Sequence, residues 1–352
     1  MTNLPSNERV TLSERVRAAL GELRPLQHPE HSDVAQWRAP TPADIDAMLE
    51  VQVAADRVDH PSWTTPREDI ADTFELAEFD HAHNSLIGFS SEGAPIVVVS
   101  AMRHPDTSEK VKVYLNGAVH PAWRRRGIGA AAARWQHARG LELLTADAET
   151  ALPGELDMYA AEHDLGNVAI AEGLGLRTAR WFSSMVRDMD IEIPELEVRD
   201  GIRFVQYSAD RAEDARLARN DAFRDHWGSL PSQPERWAQF VGGAFLRPDL
   251  STLALADDGR IVAFCLASVN EDDWETLGAS NSYIDLIGVV RDHRGKGLAP
   301  RVIAQTLKAI KAAGLEKAVL DVDTDSPTGA NTLYERLGFV ATEREQALIR
   351  EF

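Results

Sequence analysis

The chain has 352 residues, 44% of them hydrophobic, which is enough for two domains with cores of their own. It carries 37 Lys and Arg against 56 Asp and Glu. The resulting formal charge of −19 argues against a broad nucleic-acid-binding surface and suits a cationic small substrate better. The single cysteine, Cys265, excludes an internal disulfide and a cysteine-based metal cluster, and its apolar surroundings predict a buried strand residue.

The sequence shows no targeting or membrane segment. The first residues, MTNLPSNERV, lack the apolar core of a signal peptide, and no stretch approaches the roughly 18 uninterrupted apolar residues of a membrane span. We therefore expect a cytoplasmic protein without a membrane partner. The oligomeric state stays open at this level.

Composition along the chain predicts three parts. Residues 1–39 form a peripheral extension with one amphipathic helix, followed by a first domain over 40–192 and a second over 198–352. The charged segment 191–201, which contains one proline, separates the two domains. Both domains mix strands with helices, so the fold class is α/β.

In chain order, the first domain has a strand at 111–119, a helix over roughly 129–139 and a helix that ends near Gly175. The second domain has a hairpin that turns at Asp258 and Gly259 and a strand at 282–290. A helix follows, then a strand at 317–322, the short helix TLYERL and a final strand. The predicted buried face of the longer helix consists of Leu298, Val302, Ile303, Leu307 and Ile310.

A short motif occurs twice. Arg124 and Arg294, which are 170 residues apart, each begin an Arg-x-x-Gly-x-Gly/Ala stretch between a strand and a helix. A glycine loop that opens a helix presents unpaired backbone N–H groups to an anion, and the neighbouring cations add to this attraction. Neither loop continues as Gly-Lys-Ser/Thr, so the nucleotide-triphosphatase loop is absent. GIGAAA at 127–132 does fit the dinucleotide pattern Gly-x-Gly-x-x-Ala, but this signal is weak alone, because several polar and basic residues separate the strand from the first glycine and Pro300 occupies the third position in the second copy.

Together with LYERLGF at 333–339, this order of elements resembles the GNAT superfamily of acetyl-coenzyme-A-dependent N-acetyltransferases. The resemblance covers both halves and is strongest in the second. It implies two tandem domains, each a mixed, mainly antiparallel sheet flanked by helices, and acetyl-coenzyme A as cofactor. The two-domain arrangement, with chemistry in the second half, resembles that of the mycothiol synthase family.

The resemblance also implies which residues hold coenzyme A: loop N–H groups bind the diphosphate, and the preceding strand pairs with the pantetheine arm. A loop taken alone is also consistent with a solvated helix start. The position at which many members carry an asparagine for this arm is Pro327 here, with Ser326 and Asn331 as substitutes. The expected cofactor residues are Val289, Val290, Arg294, Gly295, Lys296, Gly297, Ala299 and Asn331 in the second half, and Ala118, Val119, Arg124, Arg125, Arg126, Gly127 and Gly129 in the first.

Two residues are the candidates for proton transfer in the second half. The family's general acid is a tyrosine four residues before the glycine of the LGF turn, which is Tyr334; the alternative is a tyrosine that anchors the helix in the core. The usual position of the base is occupied by Tyr283. Asp285, two residues on and expected on the same strand face, is the candidate base, with a structural hydrogen-bonding role as the alternative; Glu275 is weaker. In the first half the position of the acid is Ala171, which cannot donate a proton.

The acceptor pocket of the family is shaped by the region that contains His226 and Trp227, which together with Tyr283 are the expected substrate contacts. Packing roles for His226 and Trp227 are the alternative. The acidic stretch 321–327 lacks the spacing of a calcium loop, so no metal is expected.

The sequence therefore predicts an N-acetyltransferase in which the second domain acetylates a primary amine of a small molecule by direct transfer. The alternatives are an acyl-coenzyme-A sensor or scaffold that transfers nothing, and acetylation of an amino-sugar thiol as in mycothiol synthase. Protein acetylation is less favoured, because no extended peptide-binding signature is present.

Overall fold

A computed structural model describes residues 10–352 except 24, 61–62, 198–200 and 327–328. The chain forms two compact units, described separately below. Unit 1 runs to Ala179 and includes the last residues, Gln346–Phe352, whereas unit 2 is Arg180–Glu345. In the described part, no helix is long and apolar enough to cross a membrane.

Unit 1 is an α/β unit with a mainly antiparallel sheet in the order β1-β2-β3-β4-β5, next to which lies the end of β12. One core lies between the sheet, α5 and α1, where Leu12 and Val16 are wholly buried. Its elements are α1 (Leu12–Leu20), β1 (Gln36–Arg38), α2 (Ile45–Asp59), α3 (Arg67–Thr73), α4 (His81–Asn84), β2 (Ser85–Phe89), β3 (Pro95–Arg103), β4 (Val111–Val119), α5 (Ile128–Leu144), β5 (Gly154–Ala161), α6 (Leu165–Gly173) and β6 (Arg177–Asp188), most of which enters unit 2.

Unit 2 repeats this plan, with strand order β6-β11-β10-β9-β8-β7. The predicted face of α10 is wholly buried, Gly314 follows that helix with φ 81, and Gly259 turns the hairpin with φ 82. Its further elements are β7 (Ile202–Gln206), α7 (Ala212–Ala222), α8 (Pro234–Gly242), β8 (Thr252–Ala256), β9 (Ile261–Ser268), α9 (Asp273–Leu277), β10 (Asn281–Val289), α10 (Leu298–Ala312), β11 (Lys317–Asp323), α11 (Ala330–Arg336) and β12 (Val340–Glu351).

Each unit takes its last strand from an unexpected part of the chain. In unit 2, β6 pairs antiparallel with β11 over seven residue pairs, from Lys317 opposite Asp188 to Asp323 opposite Phe182. In unit 1 the end of the chain lies beside β5, where Gly154 and Phe352 exchange backbone hydrogen bonds of 2.8 and 3.1 Å. A strand that the sequence assigned to the first domain therefore completes the sheet of unit 2, and the chain terminus completes the sheet of unit 1.

In each unit two neighbouring parallel strands pair only at their beginnings. In unit 2, β10 and β11 pair from Asn281 to Tyr283, and in unit 1, β4 and β5 pair from Val111 to Tyr114. Beyond these points the described residues of the two strands do not pair with each other. Backbone groups along this opening are available to an extended ligand. Cys265 lies on β9 and is wholly buried, as predicted, and burial raises the pKa of its thiol to about 12.

Candidate active site

The glycine loop of unit 2 connects β10 to α10. A single 3₁₀ turn, Arg291–His293, follows the strand, and Gly295 and Gly297 then adopt left-handed φ values of 71 and 70 before α10 begins at Leu298. Side chains are strongly disfavoured at such φ values. No atom lies within 4 Å of the position a Cβ would take at Gly295, so the backbone is open there. The loop therefore presents bare backbone and the N–H groups of the first helical turn, which fits a phosphate group.

The arginine that begins the motif braces the loop. Arg294 donates from Nε to the Val289 carbonyl at 3.4 Å and from Nη2 to the Ala222 carbonyl, at the end of α7, at 2.7 Å. Its Nη1 lies 3.1 Å from the carboxylate of Asp225. The exposed Lys296 ammonium donates to the Asp292 carbonyl at 2.8 Å. Thus Arg294 fixes the loop to α7. The N–H groups of the loop and the Lys296 ammonium remain available to bind an anion.

The loop of unit 1 has the same brace. Arg124 donates from Nε to the Val119 carbonyl at 2.9 Å and makes a bidentate ion pair with Asp59 at 2.6 and 2.5 Å. Arg125 has φ 64 at the position where unit 2 has a left-handed glycine, and Gly127 has φ 91. The two loops therefore share one backbone conformation, although unit 1 reaches it at the cost of a non-glycine residue in the left-handed region.

The remaining predicted cofactor residues of unit 1 lie around the same loop. The Arg126 guanidinium lies 4.8 Å from the Trp123 ring centroid and 3.6 Å from an oxygen of Asp33, and His31 Nε2 donates to the Arg126 carbonyl at 2.7 Å. A Cβ at Gly129 would come within 3.2 Å of Ile170. This glycine therefore permits close packing of α5 against α6. Ala118 lies opposite Val98 in the sheet.

The corresponding residues of unit 2 shape the beginning of α10. Val289 and Val290 pack against the core, and the Val290 N–H donates to the Val262 carbonyl at 3.0 Å. Ala299 is in the first turn of α10. Asn331 donates from Nδ2 to the carbonyls of Asp323 and Thr324 at 3.3 and 3.1 Å, and so ties α11 to the end of β11. Pro327 lies outside the described residues.

Asp285 lies at a β-bulge in β10. The register against β9 shifts between Ile284 and Leu286, so Asp285 is the extra residue. Oδ1 accepts a 3.1 Å hydrogen bond from the Ser268 hydroxyl, whereas the buried Oδ2 has no hydrogen-bond partner among the described residues. Burial raises the pKa of this carboxyl to about 7, against the opposing effect of the Ser268 bond. A carboxyl with a pKa near neutrality is suited to take up and release a proton at physiological pH.

Tyr283 and Asp285 were expected on the same face of β10, because side chains alternate between the two faces of a strand. The bulge at Asp285 interrupts this alternation. Ser268, the cross-strand partner of Tyr283, nevertheless donates to Asp285. The Tyr283 hydroxyl donates to Asp321 Oδ2 at 2.7 Å. Burial and the charge of Asp321 raise the pKa of this phenol well above its ordinary value, so Tyr283 is a hydrogen-bond donor.

Tyr334 is on the inner face of α11, with 8% of its surface exposed. Burial raises the pKa of its phenol, which therefore stays protonated. Its hydroxyl has no hydrogen-bond partner among the residues that the structure describes, and its ring lies 6.0 Å from that of Phe339 in an edge-on arrangement. This arrangement leaves a protonated donor free for a ligand. At the equivalent position of unit 1, Ala171 is wholly buried.

Sequence reasoning missed Arg187, a wholly buried arginine on β6. Its Nε donates to the carbonyl of Leu337 at 2.6 Å, and Nη2 donates to those of Ile191 and Glu192 at 3.2 and 3.1 Å. Arg187 therefore caps the end of the helix that carries Tyr334. In unit 1, Arg350 donates to the Leu174 carbonyl at 2.7 Å in the same role. The spacing of 163 residues between the two arginines equals that between Gly175 and Gly338, and this was the available signal.

His226 and Trp227 follow α7. The Trp227 ring lies 6.2 Å from that of Phe182 on β6 and 5.3 Å from the Arg180 guanidinium. His226 is exposed, contacts the Phe223 ring at 5.3 Å, and bonds through Nδ1 to the Trp227 carbonyl at 3.1 Å. Trp227 thus lies against a strand of the candidate site, whereas His226 faces solvent. Glu275 is on α9.

The chain is similar to known acetyltransferases in sequence. A model described as "Acetyltransferase (GNAT) family" matches residues 212–339. A mycothiol acetyltransferase of Salinispora arenicola is 31% identical over 232 residues, covering 63% of this chain and 68% of its own. The chain belongs to the GNAT acetyltransferase family. A mycothiol acetyltransferase of Salinispora tropica is 29% identical over 345 residues, which cover 95% of this chain and 94% of the relative.

Solved structures support the tandem fold. A GCN5-related N-acetyltransferase from Sphaerobacter thermophilus has a TM-score of 0.66 and 23% identity, covering 90% of this chain and 95% of its own. A tandem GNAT protein from the clavulanic acid biosynthesis pathway has a TM-score of 0.65 and 17% identity, covering 90% and 98%. The predicted class, two tandem GNAT domains of mixed sheet and flanking helices, is confirmed. This GNAT protein is an acyltransferase.

Proposed function

We propose that unit 2 transfers the acetyl group of acetyl-coenzyme A directly to a primary amine of a small molecule, in the cytoplasm. The observation that carries this proposal is the occurrence in one unit of the glycine loop, a buried carboxyl with a pKa near 7, and a protonated tyrosine without a described partner. Unit 1 has the loop but not the tyrosine.

The open backbone at Gly295 and the left-handed glycine Gly297 that leads into α10 fit a diphosphate. In the proposed complex the loop N–H groups and Lys296 bind that group, and β10 at Val289 and Val290 lies along the pantetheine arm in the opening between β10 and β11. Asn331 holds α11 at the edge of this opening. Acetyl-coenzyme A supplies the thioester that is attacked.

Two protons leave the nitrogen and one reaches the sulfur. An amine acceptor arrives mainly as an ammonium ion, and Asp285 Oδ2 removes the first proton so that the nitrogen lone pair can attack the thioester carbon. The C–N bond forms and the C–S bond then breaks, as the Tyr334 hydroxyl gives its proton to the departing sulfur and the resulting phenolate recovers a proton from the new amide nitrogen. Tyr283 and Trp227 contact the acceptor, and His226 lies at its entrance.

A second candidate acceptor is the amine of an amino-sugar thiol. The names of relatives that match this chain along most of its length favour it. The chemistry of Asp285 and Tyr334 is the same for either acceptor. An acyl-coenzyme-A sensor, in contrast, requires neither residue.

The test is Tyr334→Phe. We expect kcat for release of free thiol from acetyl-coenzyme A, with an amine panel as acceptors, to fall by roughly 10² or more, while coenzyme A affinity changes less than about twofold. Calorimetric titration of coenzyme A and a thiol-trapping assay measure the two quantities. An unchanged kcat would remove Tyr334 as the acid, and no thiol release by the wild-type chain with any amine would favour the sensor.

A further inference from the structure

Ser268 is the last residue of β9 and lies opposite Tyr283 in the sheet. The bulge makes Asp285 the extra residue between Ile284 and Leu286, so Asp285 has no cross-strand partner of its own. The Ser268 hydroxyl nevertheless reaches across this irregularity and donates to Asp285 Oδ1 at 3.1 Å. The proposed proton transfer assigns Ser268 no role.

Backbone contacts fix the position of Ser268. The hydroxyl of the wholly buried Ser282 donates to the Ser268 carbonyl at 2.8 Å. Leu246 forms an isolated antiparallel bridge with Ser268, and the N–H of Val269 donates to the Phe245 carbonyl at 2.9 Å. Ser268 therefore presents its hydroxyl to Asp285 from a well-held part of the sheet.

The hydrogen bond makes the two oxygens of Asp285 different. Oδ1 is engaged by Ser268, whereas the buried Oδ2 has no hydrogen-bond partner in the described part of the chain. A carboxylate accepts through both oxygens, so Oδ2 is the one left to take up a proton. Among the groups that lower the pKa of this buried carboxyl, Ser268 comes first and the backbone of Asp285 itself second. Ser268 is therefore the side chain that favours the ionised form.

We propose that Ser268 is a positioning residue for acyl transfer in unit 2: its hydroxyl holds Oδ1 of Asp285, directs the proton of the amine to Oδ2, and keeps this carboxyl ionised at neutral pH. The inference rests on the proposed function, in which Asp285 is the base, and adds the group that controls that base. Ser268 acts through Asp285 and takes up no proton itself.

Three titratable groups near Asp285 are neutral around pH 7. The charge of Asp285 acts on the Tyr283 phenol on β10 and on the Cys265 thiol on β9, and burial raises the pKa of both. The Tyr334 phenol on α11 lies in the same core as Cys265, and burial raises its pKa as well. None of the three ionises as the pH passes through 7, so none of them produces a change in rate there.

The neighbouring strands contribute two carboxyls. Asp321 on β11 accepts the 2.7 Å hydrogen bond from the Tyr283 hydroxyl. Glu345 on β12 is half-buried, and burial followed by the charge of Asp321 raises the pKa of its carboxyl to about 7. Because Glu345 titrates in the same range as Asp285, the test needs a variant that removes it.

Two helices also pack against β10. On α7, Arg219 donates to the Leu230 carbonyl at 2.7 Å, and Asp221 accepts a 2.9 Å hydrogen bond from the Arg291 N–H, beyond the end of the strand. The face that α10 turns to the sheet is apolar. The charges of these helices therefore have contacts of their own, and the hydrogen bond from Ser268 is the feature to test.

The test measures kcat/KM for the acceptor by thiol release from the full-length chain, in the wild type and in Ser268→Ala, between about pH 6 and about pH 9. Ionisation of Asp285 should make kcat/KM of the wild type rise through about pH 7. In Ser268→Ala this rise should move up by roughly 1 pH unit, because the ionised carboxyl loses a hydrogen bond. The variant should therefore lose roughly tenfold at about pH 6 and less than about twofold at about pH 9. The ratio of variant to wild type removes the titration of the acceptor, which both share.

Further variants separate the hydroxyl from the shape of the side chain. Ser268→Thr should keep the rise within about 0.3 pH units of the wild type, whereas Ser268→Val, which has the same shape but no hydroxyl, should behave like Ser268→Ala. The controls are Ser282→Ala, which removes the hydrogen bond to the Ser268 carbonyl, and Glu345→Gln. Both controls should leave the rise near pH 7.

A loss in Ser268→Ala of equal size at every pH would make Ser268 a purely structural residue and overturn this inference, while the proposed function stands. A rise that stays near pH 7 in both Ser268→Ala and Ser268→Val would overturn it as well. A wild-type profile without the rise, together with full activity of Asp285→Asn, would overturn both the inference and the assignment of the base.

Discussion

At the scale of single residues, Asp285 combines a functional advantage with a cost to stability. The raised pKa of its carboxyl means that the folded protein prefers the protonated form, so its contribution to stability is complete below the ordinary carboxyl pKa and is lost as the pH rises through about 7. As a base it acts only when ionised. Activity and stability therefore change in opposite directions over the same pH range.

We predict that kcat/KM of the wild type rises with pH through about 7. Asp285→Asn should lower kcat/KM and abolish its rise near pH 7. At pH 8 the variant should unfold at a temperature no lower than the wild type, since it has no buried charge at this position. Rate profiles and thermal melts at matched pH values measure both effects. A variant that keeps the limb near pH 7 would show that another group titrates there.

The resemblance to the GNAT family indicated Tyr334 as the acid, and the carboxylate in an otherwise apolar strand indicated Asp285 as the base; both roles stay predictions. The bulge at Asp285 could not be predicted, because a register shift depends on the partner strand. Arg294 shows another limit. Its positive charge indicated an anion contact, whereas its guanidinium lies against Asp225 and the end of α7, which only the folded chain brings together.

At the scale of elements, both units hold the helix before their last glycine turn with one arginine, which is wholly buried in unit 2 and half-buried in unit 1. Arg187 serves α11, which carries the proposed acid, and Arg350 serves α6, which carries Ala171 in its place. The same structural contact thus occurs once with a reactive group nearby and once without it.

We predict that Arg187→Met lowers the unfolding temperature by roughly 5 to 10 °C, because it leaves the buried Leu337 carbonyl without its donor and removes the bonds to the Ile191 and Glu192 carbonyls. It should also lower kcat roughly tenfold by releasing α11. The control, Arg350→Met, should be destabilising as well but keep kcat near the wild-type value. Equal loss of kcat in both variants would mean that the activity follows stability alone.

At the scale of the whole molecule, the domain boundary predicted from the sequence and the boundaries of the folded units differ. The sequence indicated a division at 191–201, where a charged, proline-containing segment occurs, whereas the compact units divide the chain after Ala179 and after Glu345. Propensity identifies strands but not their partners. No local sequence feature therefore indicates that β6 pairs within unit 2 or that the chain terminus pairs within unit 1. The sequence does indicate the repeat of two α/β domains.

We predict that a fragment of residues 198–352 fails to give a cooperative thermal transition, because it lacks β6 and with it Ser184 and Arg187. A fragment of residues 180–345 contains every strand pairing of unit 2 and should unfold cooperatively. Circular dichroism during heating compares the two. A cooperative transition of the shorter fragment alone would contradict the assignment of β6 to unit 2.

The most direct test of catalysis in unit 2 is kcat/KM for acetyl-coenzyme A in the full-length chain with Gly297→Ala or Gly127→Ala. Both glycines have left-handed φ values, and a Cβ at Gly297 would also come within 2.5 Å of the Arg301 guanidinium. We predict a loss of roughly tenfold or more for Gly297→Ala and less than about twofold for Gly127→Ala. A larger loss for Gly127→Ala would place the chemistry in unit 1 and contradict the account.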